Sequence, residues 1–422
     1  MKRLTLSIML VFAGMVLYAG RPDKNQPVEV KTGIEVLREN GFAQLKGKRV
    51  GLVTNPSGVD SRLESTVDIL FRAPGVTLTA LFGPEHGVRG DVYAGGKISD
   101  SVDSVTGLPV YSLYGSTRKP TPEMLQGIDV MVYDIQDVGV RSYTFISTLG
   151  LVMEACAPLG IEVMVLDRPN PLGGNKIEGC YVEQPFNSFV SQYKIPYVYG
   201  LTVGELAVMI NEEGLNRGQK GDQEPVKCRL SVIPMKGWKR SMIYEDTGLP
   251  WVLPSPNIPF KDSPMYYAAS GVCGELYGFM NIGVGYTLPF QVFGATWLDP
   301  QKLMASIGDL DGVSFRPIWY KPFSGTLKGQ LVGGLQFFFT DYERARITEV
   351  QFHVMQAVAE LYPDKKPFEA ADGIGLFDKV CGTDYVRNTF SRDYRFEDIK
   401  DYWRKDEQSF RDLSKKYHLY QN

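Results

Sequence analysis

Cysteine is scarce in this sequence and histidine scarcer. Five cysteines in 422 residues, Cys156, Cys180, Cys228, Cys273 and Cys381, are odd in number and scattered, which argues against a disulfide framework or a CxxC metal knuckle. Of the three histidines, His353 lies off the Phe352, Met355, Ala359, Tyr362 stripe of an expected helix and His418 stands four residues from the C-terminus. That leaves His86 without the companions of a histidine-rich zinc site, so no metal is expected. Neither sign of charge prevails, with 45 Lys+Arg against 48 Asp+Glu, and a nucleic-acid partner, which needs a concentrated positive surface, is not expected. No GxSxG elbow marks a nucleophilic hydrolase. The glycine-rich Gly283-Val284-Gly285-Tyr286 lacks the GxGxxG spacing of a dinucleotide site, and no cofactor is expected.

What is present is the composition of a folded protein: 44% hydrophobic residues with 23 Tyr and 22 Phe, in a chain long enough for two or three domain-sized units. Lys2 and Arg3 precede an apolar run from Leu4 to Tyr18, and Leu17-Tyr18-Ala19 is an acceptable cleavage tripeptide. Residues 1–19 thus read as a secretory signal peptide, which places the mature protein in the periplasm or outside the cell. The run is shorter than the roughly 20 residues of a membrane span, and none is expected elsewhere.

Four short β-rich apolar runs, at residues 48–54, 76–82, 129–133 and 162–166, read as buried strands. Between them lie helix-like stretches: Pro122 to Gln126 behind Thr121, and Tyr143 to Ala155, apolar at helical spacing. The alternation predicts an α/β fold with a Rossmann-like parallel sheet covered on both faces. A smaller α+β unit is expected to follow, with the boundary between residues 30–265 and 266–422.

Each strand runs into a polar cluster: Asn55-Pro56-Ser57-Gly58, Gly83-Pro84-Glu85-His86-Gly87, Asp134-Ile135-Gln136-Asp137 and Asp167-Arg168-Pro169-Asn170-Pro171. In a parallel sheet the carboxyl ends share one edge, and ligands bind in the crevice outside it. Glu85 and His86 are candidates for chemistry, with Asp134 and Asp137 as carboxylates whose proximity would raise a neighbour's pKa and keep Glu85 protonated as a general acid. Arg141, ahead of a helix start with Tyr143, is a candidate anion cradle. Thr202-Val203-Gly204-Glu205 matches a capping box, in which Glu205 serves structure as readily as substrate. The segment Trp251-Val252-Leu253-Pro254-Ser255-Pro256-Asn257 offers an aromatic, a hydroxyl and an amide suited to a sugar.

Six of these runs, from Gly51-Leu52-Val53-Thr54-Asn55 through Phe82 to Gly87, Tyr133 to Arg141, Leu166 to Pro171 and Leu201 to Ala207 to Pro254-Ser255-Pro256-Asn257, resemble those of the DUF1343 family, in the same order. The match extends from about residue 32 to the C-terminus. Characterised members are exo-β-N-acetylmuramidases. The resemblance implies a Rossmann-like domain with a smaller C-terminal one, and a glycosidase that releases terminal N-acetylmuramic acid from peptidoglycan fragments, with muropeptide-derived saccharides as partners. It carries Glu85 and His86 over as the catalytic pair with Asp134 and Asp137 beside them. Asn55, Arg141, Tyr143, Asp167, Arg168, Asn170, Glu205, Ser255 and Asn257 carry over around the sugar. Two positions depart from the family pattern: Val284, where many relatives carry arginine, and Tyr199, where they place histidine. With Val284 uncharged, Arg89, Arg141 and Arg168 remain to meet the lactyl carboxylate. A non-catalytic binder of cell-wall sugars and a metal-assisted amidase on the peptide stem are the competing readings.

The C-terminal third reads more plainly. Trp403, Phe410, Leu413 and Tyr417 fall at helical spacing and predict a last helix docked through an apolar stripe, while Gly294 to Pro300 and Gly325 to Gly334 read as turns around strands.

Overall fold

The computed structural model describes residues 30–90, 101–369 and 372–422, so the expected signal peptide lies outside the described residues. Seven strands form the first sheet: β1 (Arg49–Thr54), β2 (Thr77–Gly83), β3 (Ser101–Val102), β4 (Pro109–Ser112), β5 (Val130–Asp134), β6 (Glu162–Leu166) and β7 (Leu230–Ile233). Their order is β3-β4-β2-β1-β5-β6-β7, and every pairing is parallel except that of β3 with β4. The chain winds outward from β1 in one direction, then returns to start again at β5 on its other side. This is a doubly wound sheet with its switch point between β1 and β5.

Side-chain alternation explains why both faces are dry. Val50 and Leu52, Val130 and Val132, and Met164 and Leu166 point to one face, where they pack with Ile34, Leu37, Val67 and Leu70 of helices α1 (Gly33–Glu39) and α2 (Thr66–Phe71). Val53, Met131, Tyr133, Val163 and Val165 point to the other, where they meet Leu149, Val152, Leu206 and Met209 of α3 (Phe145–Cys156) and α4 (Val203–Glu212). Strands buried on both faces read as continuous apolar runs, and so the sequence locates β1, β2, β5 and β6 to within a residue. The stretch from Pro122 to Gln126 forms turns, not the expected helix; five residues are too few to repay the nucleation cost of a helix.

The second unit opens with α5 (Ser263–Gly274) and holds an antiparallel sheet of β8 (Val292–Ala295), β9 (Val313–Tyr320) and β10 (Val332–Phe339), in the order β8-β10-β9. Helices α6 (Pro300–Ser306), α7 (Val350–Leu361), α8 (Ile374–Cys381), α9 (Tyr385–Asp393), α10 (Glu397–Arg404) and α11 (Glu407–Ser414) complete it. Its core is continuous with the first unit, since Val138, Val140, Cys180, Tyr197 and Val198 pack in one cluster with Phe293, Phe352 and Trp403. The expected C-terminal stripe divides between the two: Trp403 joins that cluster, whereas Phe410 packs under the parallel sheet with Leu413 and Tyr417 against it. Tyr420 then closes over the first unit by donating to Asp167 at 2.5 Å.

Candidate active site

The switch point is sealed. Thr54 and Asp134 stand opposite one another at the ends of β1 and β5, and the Asp134 carboxylate is taken up by Arg168 (Nε–Oδ1 2.5 Å, Nη2–Oδ2 3.0 Å) and by the Thr66 hydroxyl at 2.5 Å. The remaining reach of Arg168 goes to the Val59 carbonyl at 2.7 Å, so both partners of this buried pair are committed to the fold. Asp167 is fully buried and receives the Thr202 hydroxyl (2.7 Å) and the Gly204 amide (2.8 Å) as well as Tyr420. It steadies the start of α4, and burial pushes its carboxyl up to about 7 against those donors. Glu205 closes the expected capping box on Thr202 and forms a buried ion pair with Arg240 at 2.8 Å. Asn170 bonds the Leu172 amide and the Leu201 carbonyl, each at 2.9 Å, and shapes the turn after β6.

Arg141 is the largest departure from the expected site. It does not face a cleft but is wholly buried. Its guanidinium donates to the carbonyls of Cys180 (2.8 Å), Ile195 (2.6 Å), Val380 (2.9 Å) and Cys381 (2.8 Å) and to the Ser191 hydroxyl (3.2 Å). No ion pair with a carboxylate is formed among the described residues, and desolvation lowers its pKa against the opposing field of Cys180, Cys381, Tyr197 and Asp406. The fork that would suit a substrate carboxylate instead clasps the main chain of the two units together. Arg141→Ala would strand four buried carbonyls, each costing about 1–3 kcal/mol if left unpaired. It is expected to lower unfolding stability by at least about 3 kcal/mol, read as a shifted denaturant midpoint; a properly folded variant with wild-type stability and only a raised KM would restore the substrate role.

The open cleft lies beside the switch point, between the turn after β2 and the second unit. About 860 Å³ in volume, it is lined by Glu85, Tyr114, Arg118, Phe189, Asn257, Tyr267 and, from the second unit, Glu275, Tyr277, Asn281, Val284 and Trp297. A space of this size suits a ligand of drug or disaccharide dimensions. Glu85 and Asn257 are the expected site residues that reach it. Asn55 serves at one remove: its amide donates to the Pro254 carbonyl at 3.1 Å and its oxygen accepts from Ser57, which pins the loop that carries buried Ser255 and cleft-lining Asn257. Trp251 stiffens the same loop by donating to the Ile258 carbonyl at 3.1 Å.

Glu85 is half-buried, and the Tyr114 hydroxyl bonds to it. Burial, and then this carboxylate, push Tyr114 up to about 12. His86 is buried behind it with φ 78°, a left-handed conformation that a side chain adopts rarely and that tends to mark functional turns. Asp137 sits deeper, with burial raising its carboxyl to about 6. One oxygen accepts from the Gly139 amide at 2.8 Å and from the hydroxyl of Tyr199; its Oδ1 is buried without a partner. Tyr143 packs edge-on against Tyr267 at 5.7 Å behind the cleft wall.

The sequence missed Glu275. This residue caps the C-terminal end of α5, where the helix dipole disfavours a negative charge, and desolvation lifts its carboxyl to about 7. Its hydrogen bond comes from Tyr277 at 3.5 Å. The Tyr267 ring is shared ground, since the charges of Glu275, Asp137 and Glu85 all act on its hydroxyl. No local motif surrounds Glu275; only the approach of the second unit makes it part of the site.

A doubly wound α/β unit, an antiparallel second unit and a two-carboxyl cleft at their junction define a two-domain protein with a single-ligand site of small-molecule size. The chain belongs to the NamZ, or DUF1343, family: residues 50–262 match the model described as exo-beta-N-acetylmuramidase NamZ, N-terminal, and residues 265–420 its C-terminal counterpart. It is 42% identical to the peptidoglycan beta-N-acetylmuramidase NamZ of Bacillus subtilis (strain 168) over 98% of each chain. Among solved structures it is similar to a DUF1343 family protein from Bacteroides fragilis NCTC 9343, with 54% identity, a TM-score of 0.88, and 94% of this chain and 100% of the other covered. A second DUF1343 protein from the same strain matches at 28% identity and a TM-score of 0.73, over 93% of this chain and 99% of its own.

Proposed function

We propose that the protein is a glycoside hydrolase that removes terminal N-acetylmuramic acid from fragments of peptidoglycan, as an exo-β-N-acetylmuramidase. The observation that carries the reading is the cleft itself, in which Glu85 and Glu275 approach one ligand space from the two units between aromatic walls, within a chain similar over its whole length to a NamZ enzyme. Two carboxyls flanking a bond are the usual machinery of glycoside hydrolysis. Their environments divide the labour. Desolvated at a helix C-terminus, Glu275 holds its proton near neutral pH and is suited to protonate the leaving oxygen. Glu85, hydrogen-bonded by Tyr114 at the mouth of the parallel unit, is suited to activate water or attack the sugar. This assignment moves the acid away from Glu85, because Asp134 is neutralised by Arg168 and neither aspartate lines the cleft. Mass spectrometry of a defined N-acetylmuramyl disaccharide incubated with purified protein tests the reading: release of the free muramyl sugar is expected, and an unchanged disaccharide would reject it.

The reading extends to location. On the strength of residues 1–19 the enzyme acts outside the cytoplasm, where peptidoglycan lies. The mature chain is expected to begin near Gly20, and N-terminal sequencing that finds an intact Met1 would contradict it.

A further inference from the structure

Arg89, Arg141 and Arg168, the three arginines expected to meet a substrate carboxylate, are all committed elsewhere. Arg89 pairs with Asp103 at 2.5 Å and Asp68 at 3.0 Å, Arg168 with Asp134, and Arg141 with main-chain carbonyls. We propose that Arg118 reads the carboxylate of the substrate's lactyl ether, and so sets the preference for a muramyl over a glucosaminyl sugar. The inference rests on the proposed function and names the residue that gives it specificity.

Four observations meet at this side chain. Among the described residues that line the cleft, Arg118 is the one cation. Its guanidinium carbon lies 4.3 Å from the centroid of the Phe189 ring. A cation held over a ring in this way is restrained while its remaining N–H groups stay donors for a carboxylate. The Nε of Arg118 is buried and has no hydrogen-bond partner, a costly state for a charged donor unless a ligand supplies the acceptor. Finally, its charge acts on the hydroxyl of Tyr114, the residue bonded to Glu85, so the cation stands on the same side of the cleft as that carboxylate. A sugar whose glycosidic bond lies between Glu85 and Glu275 then has one wall with a cation for its acidic substituent. Val284, which also lines the cleft, is apolar and offers that substituent no charge. N-Acetylglucosamine has no such substituent and leaves the buried Nε unsatisfied.

The test compares kcat/KM for N-acetylmuramyl and N-acetylglucosaminyl forms of one chromogenic substrate in the wild type, Arg118→Ala and Arg118→Lys. One charge-assisted contact is expected to give the wild type a preference of about ten- to a hundred-fold for the muramyl form. Arg118→Ala is expected to bring the ratio close to one. Arg118→Lys, which keeps the charge but not the planar fork, is expected to recover only part of it. Methyl esterification of the lactyl carboxylate provides a second arm: it should slow the wild type by about the same factor and leave Arg118→Ala unaffected. A wild-type ratio that survives unchanged in Arg118→Ala, or an ester penalty equal in both proteins, overturns the assignment while the muramidase reading stands. Failure of the wild type to release sugar from either form rejects the muramidase reading itself.

Discussion

Glu85→Gln is expected to lower kcat on a natural N-acetylmuramyl disaccharide by about 10²–10⁴-fold, the usual worth of one group that transfers a proton or attacks in the transition state. The fold should survive, because Glu85 is a half-buried turn residue between Pro84 and His86, and an amide can still accept the Tyr114 hydroxyl. Circular dichroism and the unfolding midpoint, unchanged from wild type, establish that. Chromogenic aryl glycosides sharpen the prediction. A leaving group that needs no proton rescues the loss of a general acid but not the loss of a base or nucleophile, so Glu85→Gln should remain slow on both substrate types. Wild-type turnover of the natural disaccharide by Glu85→Gln would remove Glu85 from the chemistry, whereas no turnover by either protein would favour one that captures cell-wall sugars without cutting them.

How far the site could be read from the chain depends on which contacts are local. β1, β2, β5 and β6 were legible because each is buried on both faces and announces itself as an apolar run. β4 and β7 are four residues each and only partly buried, and the two residues of β3 are exposed, so nothing in their hydropathy sets them apart. The same distinction holds at the site. Glu85 stands two residues after β2, and a polar residue at a parallel strand's carboxyl end is a local signal. The Arg141 segment carries an equally persuasive local pattern, yet its role is set by the carbonyls of Val380 and Cys381, which lie 239 and 240 residues away. Asp134 and Arg168, 34 residues apart, look like two ligand-binding groups until their register at the ends of adjacent strands shows that they neutralise each other. Glu275 and Arg118 were invisible for the converse reason. A carboxylate in a glycine-flanked helix end and an arginine in a polar loop are commonplace in sequence, and only the packing of the second unit on the first gives them a shared cavity.

The second large effect concerns pH. Glu275 carries a carboxyl raised from the usual carboxylate range to about 7, and the form that donates a proton is the protonated one. Activity on the natural disaccharide should therefore be insensitive to this group below its pKa, then fall about tenfold per pH unit above it as the donor is lost. Tyr267 and Tyr197 do not contribute to that limb, since burial raises both well above it, and Asp137, which burial raises to about 6, is separated from it by substitution. Glu275→Gln cannot donate in the same way. It is expected to slow the natural disaccharide by about 10²–10⁴-fold and to abolish the limb near pH 7. An aryl glycoside with a good leaving group should be cut at close to the wild-type rate by the same variant, in contrast to Glu85→Gln. Folding should become less sensitive to pH between about 4.5 and 7 as well. Between the ordinary carboxyl value of 4.5 and about 7 the unfolded chain gives up this proton before the folded one does, so the contribution is full below that window and is lost as pH rises through it, and the neutral amide removes the loss. If the alkaline limb persists unaltered in Glu275→Gln, the proton comes from another group, and the remaining carboxyl among the described residues that line the cleft is Glu85.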